Sequence, residues 1–189
     1  LTLTSASALA SIGKAAVPEV TKLLNKDSSL KLLAIHVLGE IGTESEESIP
    51  ELLKLTKSDD TDIRETAIVS LGEIGPKAIK AEPELIKILE NSTGTTRNKA
   101  VYALSKIGSK KALPLIKKYA ESDSDDERFR LVCAWALLRE NPTNPEAVNA
   151  ALPGLIKALS DENALLRREA ASAIALSGPL AKAASPSLK

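Results

Sequence analysis

The chain has 189 residues with 25 basic and 25 acidic side chains, and its formal net charge of zero argues against duplex nucleic acid or an anionic membrane as a partner. Its one cysteine excludes an internal disulfide, and its one histidine excludes a multi-histidine metal site. No apolar run approaches the roughly 18 residues of a membrane-spanning helix, and no signal peptide is visible.

The sequence contains an internal repeat. Its clearest copy runs from Ile63 to Gly75, and looser copies lie on both sides of it. A small residue marks the same place in each unit and is numbered position 0. These anchors are separated by 33, 33, 33 and 37 residues and are Ala34, Ala67, Ala100, Cys133 and Ala170. A fixed period in this range is typical of a solenoid of stacked helix pairs.

The first helix of each unit, helix A, is predicted from a proline in its opening turn, followed by apolar residues at helical spacing. Proline is tolerated there because the first N–H groups of a helix have no internal acceptor. The prolines are Pro18, Pro50, Pro83, Pro114, Pro153 and Pro186. The longest stretch before such a proline, from Asn141 to Pro153, is predicted to be a loop insertion. Insertions in repeat proteins often lie on the binding face, although connectors also vary without consequence.

The second helix, helix B, carries a start signal and a stop signal in each unit. Seven residues before the anchor stands a residue that can cap the helix: Asp27, Asp60, Thr93, Asp126 and Asn163. Eight residues after the anchor stands a residue suited to a left-handed helix end: Gly42, Gly75, Gly108, Asn141 and Gly178, with Gly13 in the leading half-unit. Helix B should therefore span about four turns.

A basic residue recurs three positions before the anchor. This basic column consists of Lys31, Arg64, Arg97, Arg130 and Arg167. Each member follows its cap residue by four positions, so one interpretation is an interaction that stabilises the helix start. The alternative is a cationic ligand site. Recurrence in every unit favours the structural interpretation.

Together these features resemble the HEAT repeat family, in particular the short bacterial form also found in phycobilisome lyases. The matching residues are Arg64, Ala67, Leu71, Gly72, Ile74 and Gly75. The resemblance implies an all-α fold, a right-handed superhelix of antiparallel helix pairs with B helices lining the concave side.

We expect a single repeat domain over residues 1–189. Its units are predicted roughly at 1–13 (a half-unit), 14–42, 43–75, 76–108, 109–141, 142–178 and 179–189. Because both ends fall inside a unit, the chain is expected to be a piece of a longer protein. Apolar faces at its uncapped ends would allow self-association.

Position +2 of helix B lies opposite the apolar core columns at 0, +1, +3 and +4, so its side chains are predicted to be exposed. The column consists of His36, Val69, Tyr102, Trp135 and Ser172, and it holds the only His, the only Trp and one of two Tyr. In a HEAT-like superhelix it would run along the concave surface.

The fourth unit adds apolar residues to the same outer side of helix B. These are Leu131, Val132 and Leu138, at positions −2, −1 and +5. An apolar cluster around a tryptophan is a common form of binding hot spot. The alternative is that the 141–153 connector covers these side chains and makes them core.

We therefore expect a non-enzymatic scaffold or adaptor that binds a protein or peptide on the B-helix face. Tyr102 and Trp135 would be the anchors, Arg139 would belong to the polar rim, and Val69 and His36 would lie on the same surface. No catalytic constellation, cofactor or metal site is predicted.

Two other functions stay open at this point. One is small-molecule binding or an enzymatic role resembling the lyase relatives, in which His36, Tyr102 or Cys133 would take part. The other is DNA binding resembling that of the family's alkylpurine glycosylases, which the zero net charge disfavours.

Overall fold

The computed structural model of the chain describes residues 3–122, 126–160 and 164–182, and over these residues the regular structure is helical throughout. The α-helices are α1 (Leu3–Ile12), α2 (Val17–Leu23), α3 (Ser28–Ile41), α4 (Ile49–Leu55), α5 (Thr61–Ile74), α6 (Glu82–Asn91), α7 (Gly94–Lys106), α8 (Leu113–Ala120), α9 (Glu127–Glu140), α10 (Pro145–Ala158) and α11 (Ala164–Leu176). Short 3-10 segments lead into α2, α4 and α6. None of the helices in the described ranges combines the length and apolar character needed to cross a membrane.

Two compact units divide the chain, Leu1–Ser109 and Lys110–Lys189. In the first unit α2, α4 and α6 are A helices, while the B helices α1, α3, α5 and α7 pack side by side in chain order. In the second unit α8 and α10 are A helices and α9 and α11 are B helices, with α9 contacting the other three. The predicted alternation of helix pairs is thus present in each unit. A single domain over residues 1–189 stays a prediction.

In the first unit, the core of the repeats is built from the columns that the helical wheel predicts. Ala67, Ile68 and Leu71 of α5 are fully buried, as are the equivalent residues of α3 and α7. Ser70 is buried as well, and its hydroxyl donates to the carbonyl of Ile35 at 2.8 Å. That hydrogen bond ties α5 to α3 and satisfies a polar group that would otherwise be costly to bury.

The B helices begin mostly where the cap residues predict. The carboxylates of Asp27, Asp60 and Asp126 accept hydrogen bonds of 2.9–3.2 Å from N–H groups of the following first turn. Such a bond satisfies a donor that has no partner inside the helix. Thr93 occupies the cap position of α7 but makes no side-chain cap bond. Asn163 lies outside the described residues.

The predicted glycine stops all have a left-handed backbone, with φ between 52° and 75° at Gly13, Gly42, Gly75, Gly108 and Gly178. The prediction is wrong at Asn141, where φ is −144°. Pro142 follows directly, and a residue before proline is pushed toward extended backbone.

The predicted loop between Asn141 and Pro153 is largely helical. Helix α10 begins at Pro145 and continues through Pro153, which therefore does not open helix A of this unit. The actual start signal is Asn144, whose side chain accepts a hydrogen bond from the N–H of Glu146 at 2.9 Å. Pro145 then occupies the first turn, where the absence of an N–H costs nothing. The sequence contains this start signal, but alignment of the repeats predicted that the helix would begin at Pro153.

Arg64 shows a structural role for the basic column, although not with its cap residue. Its guanidinium donates to the carbonyls of Ser58 and Asp59 at 2.6 and 3.3 Å, and to the hydroxyl of Thr61 at 2.9 Å. These bonds hold the turn between α4 and α5. The interaction with its cap residue Asp60, which the spacing of four residues suggested, is not among these bonds.

Candidate interaction surface on the B helices

Each B helix from α3 onward carries a pair of residues at positions +2 and +6, which share one helix face because they are four residues apart. We call them the B-face pairs. They are His36 with Glu40, Val69 with Glu73, Tyr102 with Lys106, Trp135 with Arg139, and Ser172 with Leu176. All of these side chains are exposed or half-buried.

In the first unit the B-face pairs of α5 and α7 are joined by a polar cluster. The hydroxyl of Tyr102 donates to Glu73, and the ammonium of Lys106 lies 3.1 Å from the other oxygen of the Glu73 carboxylate. The same ammonium lies 5.7 Å from the centre of the Tyr102 ring, within cation–π range. The cluster fixes the ring of Tyr102 while leaving it half-buried rather than covered.

The other two members of the +2 column in the first unit are His36 and Val69. His36 is exposed, and its Nε2 lies 3.3 Å from a carboxylate oxygen of Glu40 on the same helix. Val69 is half-buried on α5. Both therefore lie where position +2 predicts, at the surface of the B helices.

In the second unit Trp135 is half-buried and packs against the core cluster that α9, α10 and α11 share. The guanidinium of Arg139 lies 5.9 Å from the centre of its ring, and Arg139 is itself exposed. Val132 is half-buried one position before the anchor. On α11, Ser172 is exposed and Leu176 is 57% exposed. The B helices of this unit thus present aromatic, aliphatic and basic groups.

The predicted exposure of Leu131 and Leu138 is wrong. Leu131 is 7% exposed and Leu138 is 0% exposed, and both belong to the core cluster with residues of α10 and α11, including Leu152 and Ile174. The interpretation of these leucines as core, which the sequence left open, is the one observed. Helix α10, which occupies the predicted connector, and helix α11 both contribute residues to this cluster.

Contacts in the first unit explain why these two leucines are buried. Position +5 of a B helix faces the next B helix: an added Cβ at Gly39 would lie 3.1 Å from the Cα of Ser70, and one at Gly72 would lie 2.9 Å from the Cα of Ala103. A helical wheel drawn for one isolated helix treats this side as open. In a solenoid the following repeat covers it.

Position −2 has the same inter-repeat role. Glu65 is buried, and its carboxylate accepts hydrogen bonds from Thr95, Thr96 and Lys99 of α7 at 2.5–2.7 Å. Burial alone would raise the pKa of Glu65, but the hydrogen bonds from Lys99 and the two threonines outweigh it and lower the pKa to about 2. The sequence analysis missed this cluster, because Glu65 lies 30 to 34 residues before its three partners.

Cys133 is fully buried at the anchor of α9. This position makes it a small core residue and keeps its thiol away from solvent. Among the described residues, no group of three or more His, Cys, Asp or Glu side chains is arranged to hold a metal ion.

Comparison with known proteins gives the architecture an independent reference. A family model described as HEAT repeats matches residues 2–72 and 49–138. No curated protein matches the chain. Among solved structures, the chain is similar to a chain in the complex of CpcE and CpcF of phycocyanin lyase from Nostoc sp. PCC7120. The identity is 25% and the TM-score 0.68, over 97% of this chain and 74% of that one.

Two further solved structures share the fold. An engineered protein is 24% identical with a TM-score of 0.52, over 97% of this chain and 56% of that chain. The archaeal HEAT-like repeats protein from Thermococcus onnurineus NA1 is 19% identical with a TM-score of 0.52, over 92% and 75%. Together with the helices described above, these matches confirm the predicted all-α class with HEAT-like repeats.

Proposed function

Since the chain belongs to the HEAT repeat family, as the family model over residues 2–138 shows, we propose that it is a non-enzymatic scaffold that binds a protein partner on its B-helix face. HEAT repeats commonly mediate protein interactions. The similar phycocyanin lyase chain was solved in a complex of two proteins, so a protein of this architecture assembles with a partner.

The observation that carries the proposal is the Trp135–Arg139 pair. Interface hot spots are enriched in Trp, Tyr and Arg, because these side chains contribute large contact areas while keeping polar groups. Trp135 is held in place by the core beneath it and is not fully covered. Arg139 extends over its ring and offers an exposed cation at the edge. A partner side chain that packs on this pair would contact both the ring of Trp135 and the guanidinium of Arg139.

The remaining predicted site residues divide by their position. Val132 flanks Trp135 in the second unit, while Tyr102, Val69 and His36 form the corresponding part of the B-helix face in the first unit. Leu131 and Leu138 support the surface from beneath and would not touch a partner.

A photo-cross-linking experiment tests this proposal. Benzoylphenylalanine is placed at exposed Ser172 on B helix α11, and at exposed Lys118 on A helix α8 as the control. In extract from the source cells we expect a discrete protein adduct from position 172 and none from position 118. The same adduct with equal yield from both positions would contradict a binding face on the B helices.

A second candidate function is a role as part of a lyase that handles a tetrapyrrole. It is favoured by the similarity to a chain of the phycocyanin lyase complex. Of the three residues considered for it, Cys133 is fully buried, whereas His36 and Tyr102 reach the surface. Titration with a tetrapyrrole, followed by visible absorbance, distinguishes this candidate. A spectral shift that His36→Ala or Tyr102→Phe reduces would favour it, and an unchanged spectrum would count against it.

Self-association also stays a prediction. Apolar side chains are exposed near both ends of the described chain, with Ile12 57% and Leu180 41% exposed. Sedimentation velocity at several concentrations would reveal a concentration-dependent dimer, and its absence would contradict the prediction.

A further inference from the structure

In the first unit the charged members of the B-face pairs already have polar partners within the chain. Glu73, at position +6 of α5, accepts a hydrogen bond from Tyr102 and lies 3.1 Å from the ammonium of Lys106, both on the next B helix. Glu40 lies 3.3 Å from the ring nitrogen of His36 on α3. A binding partner with a charged group would have to compete with these contacts.

Arg139, at position +6 of α9, differs from these residues. Its side chain is exposed, and its guanidinium carbon lies 5.9 Å from the centre of the Trp135 ring. Over the described ranges, its guanidinium makes no ion pair and donates no hydrogen bond. A cation–π contact uses none of the five N–H donors of a guanidinium. The charge and the donors of Arg139 are therefore available to a partner.

The acidic residue next to Arg139 on the same helix is already engaged. Glu140 accepts a hydrogen bond from the ammonium of Lys110, and its side chain is only 12% exposed. Successive residues of an α-helix point about 100° apart, so Glu140 also leaves the B-helix face. It does not neutralise Arg139.

The register of the repeats places no acid beside Arg139 from the next B helix either. In the first unit, position +6 of α5 contacts positions +2 and +6 of α7. Helix α9 packs against α11 in the second unit, and the equivalent residues of α11 are Ser172 and Leu176, both exposed. The first-unit cluster thus combines a carboxylate with a cation, whereas the second unit offers a cation, a hydroxyl and an aliphatic side chain.

We propose that the segment bound on the B helices of the second unit is acidic. An Asp or Glu carboxylate of the partner pairs with the guanidinium of Arg139, and an adjacent apolar side chain packs on Trp135 and Leu176. A guanidinium matches a carboxylate in charge and in planar geometry. Trp135 is half-buried and Leu176 is 57% exposed, so both have apolar surface that a partner can cover. This inference rests on the scaffold function proposed above and adds the chemistry of its partner.

A random peptide library displayed on phage tests this chemistry before the natural partner is known. Peptides selected on the purified chain are synthesised with a fluorescein label, and their affinities are measured by anisotropy. We expect them to be enriched in Asp and Glu beside an aromatic or aliphatic residue. We also expect them to cross-link to benzoylphenylalanine at position 172.

A double-mutant cycle then assigns the acid of the peptide to Arg139. Arg139→Gln should weaken binding by about tenfold, and replacing the acid of the peptide by Gln should weaken it by about as much. The two losses should not add when both changes are combined, because they remove the same contact. Additive losses would overturn the proposed pair.

Two further variants serve as controls. Lys106→Gln removes the cation at the same position of α7, where Glu73 already pairs with it, and should leave Kd of the acidic peptides within about twofold of the wild type. Glu169→Gln on α11 tests for an acid within the chain and should also leave Kd unchanged. Binding that becomes about tenfold tighter in Glu169→Gln would show that Glu169 occupies Arg139, and it would overturn the proposal.

This inference and the scaffold function fail in different ways. Selected peptides that cross-link from position 172 but show no excess of Asp or Glu would overturn the acidic partner and leave a binding face on the B helices. An affinity that does not depend on Arg139 would have the same meaning. The absence of any selected peptide, or cross-linking from position 118 and not from position 172, would contradict both.

Discussion

The guanidinium carbon of Arg139 lies 5.9 Å from the ring centre of Trp135, one helical turn earlier on α9. The tryptophan packs partly against the core of the second unit, while the arginine is exposed. The pair therefore combines an anchored apolar ring with an accessible cation. In the first unit the ammonium of Lys106 lies similarly over Tyr102, at 5.7 Å.

Acid should weaken the link between α5 and α7 through Glu65. Its folded-state pKa is about 2, below the value near 4.3 expected in the unfolded chain. The stabilisation is therefore fully present above pH about 4.5 and is lost as pH falls toward 2, by up to about 3 kcal/mol. Glu65→Gln should lower the free energy of unfolding at pH 7 by about 2 kcal/mol.

Urea denaturation between pH 2 and pH 7 measures this effect. Exposed Glu90→Gln on α6 serves as the control and should leave the pH profile of the wild type unchanged. If Glu65→Gln and the wild type lost stability in parallel below pH 4.5, Glu65 would not be the group responsible.

Substitution by alanine should change the stability of the fold in opposite directions at two helical glycines, Gly72 and Gly154. At Gly72 the new Cβ would lie 2.9 Å from the Cα of Ala103, so α5 and α7 would have to move apart. We expect Gly72→Ala to destabilise by about 1–3 kcal/mol. At Gly154 there is open space, so Gly154→Ala should stabilise α10 by about 0.5–1 kcal/mol. Thermal unfolding of both variants gives the comparison, and a Tm shift of the same sign in both would refute the close approach of α5 and α7.

The burial of Leu138 predicts a large cost for its truncation. Leu138→Ala removes a fully buried side chain from the core of the second unit and should cost about 2–5 kcal/mol. Leu176→Ala removes a side chain that is 57% exposed and should cost less than about 1 kcal/mol. Chemical denaturation measures both values. Equal costs would mean that Leu138 lies on the surface, as the sequence alone had predicted.

Features that depend on neighbouring residues in the chain could be predicted from the sequence. Asp60 caps α5 and Gly75 ends it, because both effects act within one helical turn. The same local logic explains the two errors nearby: Pro142 forces Asn141 out of the left-handed region, and Asn144 starts α10 ahead of Pro153.

Features that depend on the next repeat could not be predicted in this way. Leu131, Leu138 and Glu65 lie on the sides of helix B that the following unit covers, and a wheel for one helix does not contain that unit. The exposure of the +2 column could be predicted because its side chains remain exposed or half-buried in the folded chain.

The most direct test of the central claim is the affinity of the cross-linked partner for two charge-reversal variants, measured by calorimetry. Arg139→Glu alters the B-face pair of α9, and Lys118→Glu makes the same charge change on exposed A helix α8. The B-helix account predicts a loss of about 2 kcal/mol, or roughly 30-fold in Kd, for Arg139→Glu, and little change for Lys118→Glu. Unfolding free energies of both variants should stay within about 0.5 kcal/mol of the wild type. An unchanged Kd for Arg139→Glu, or an equal loss in both variants, would contradict binding at the Trp135–Arg139 pair.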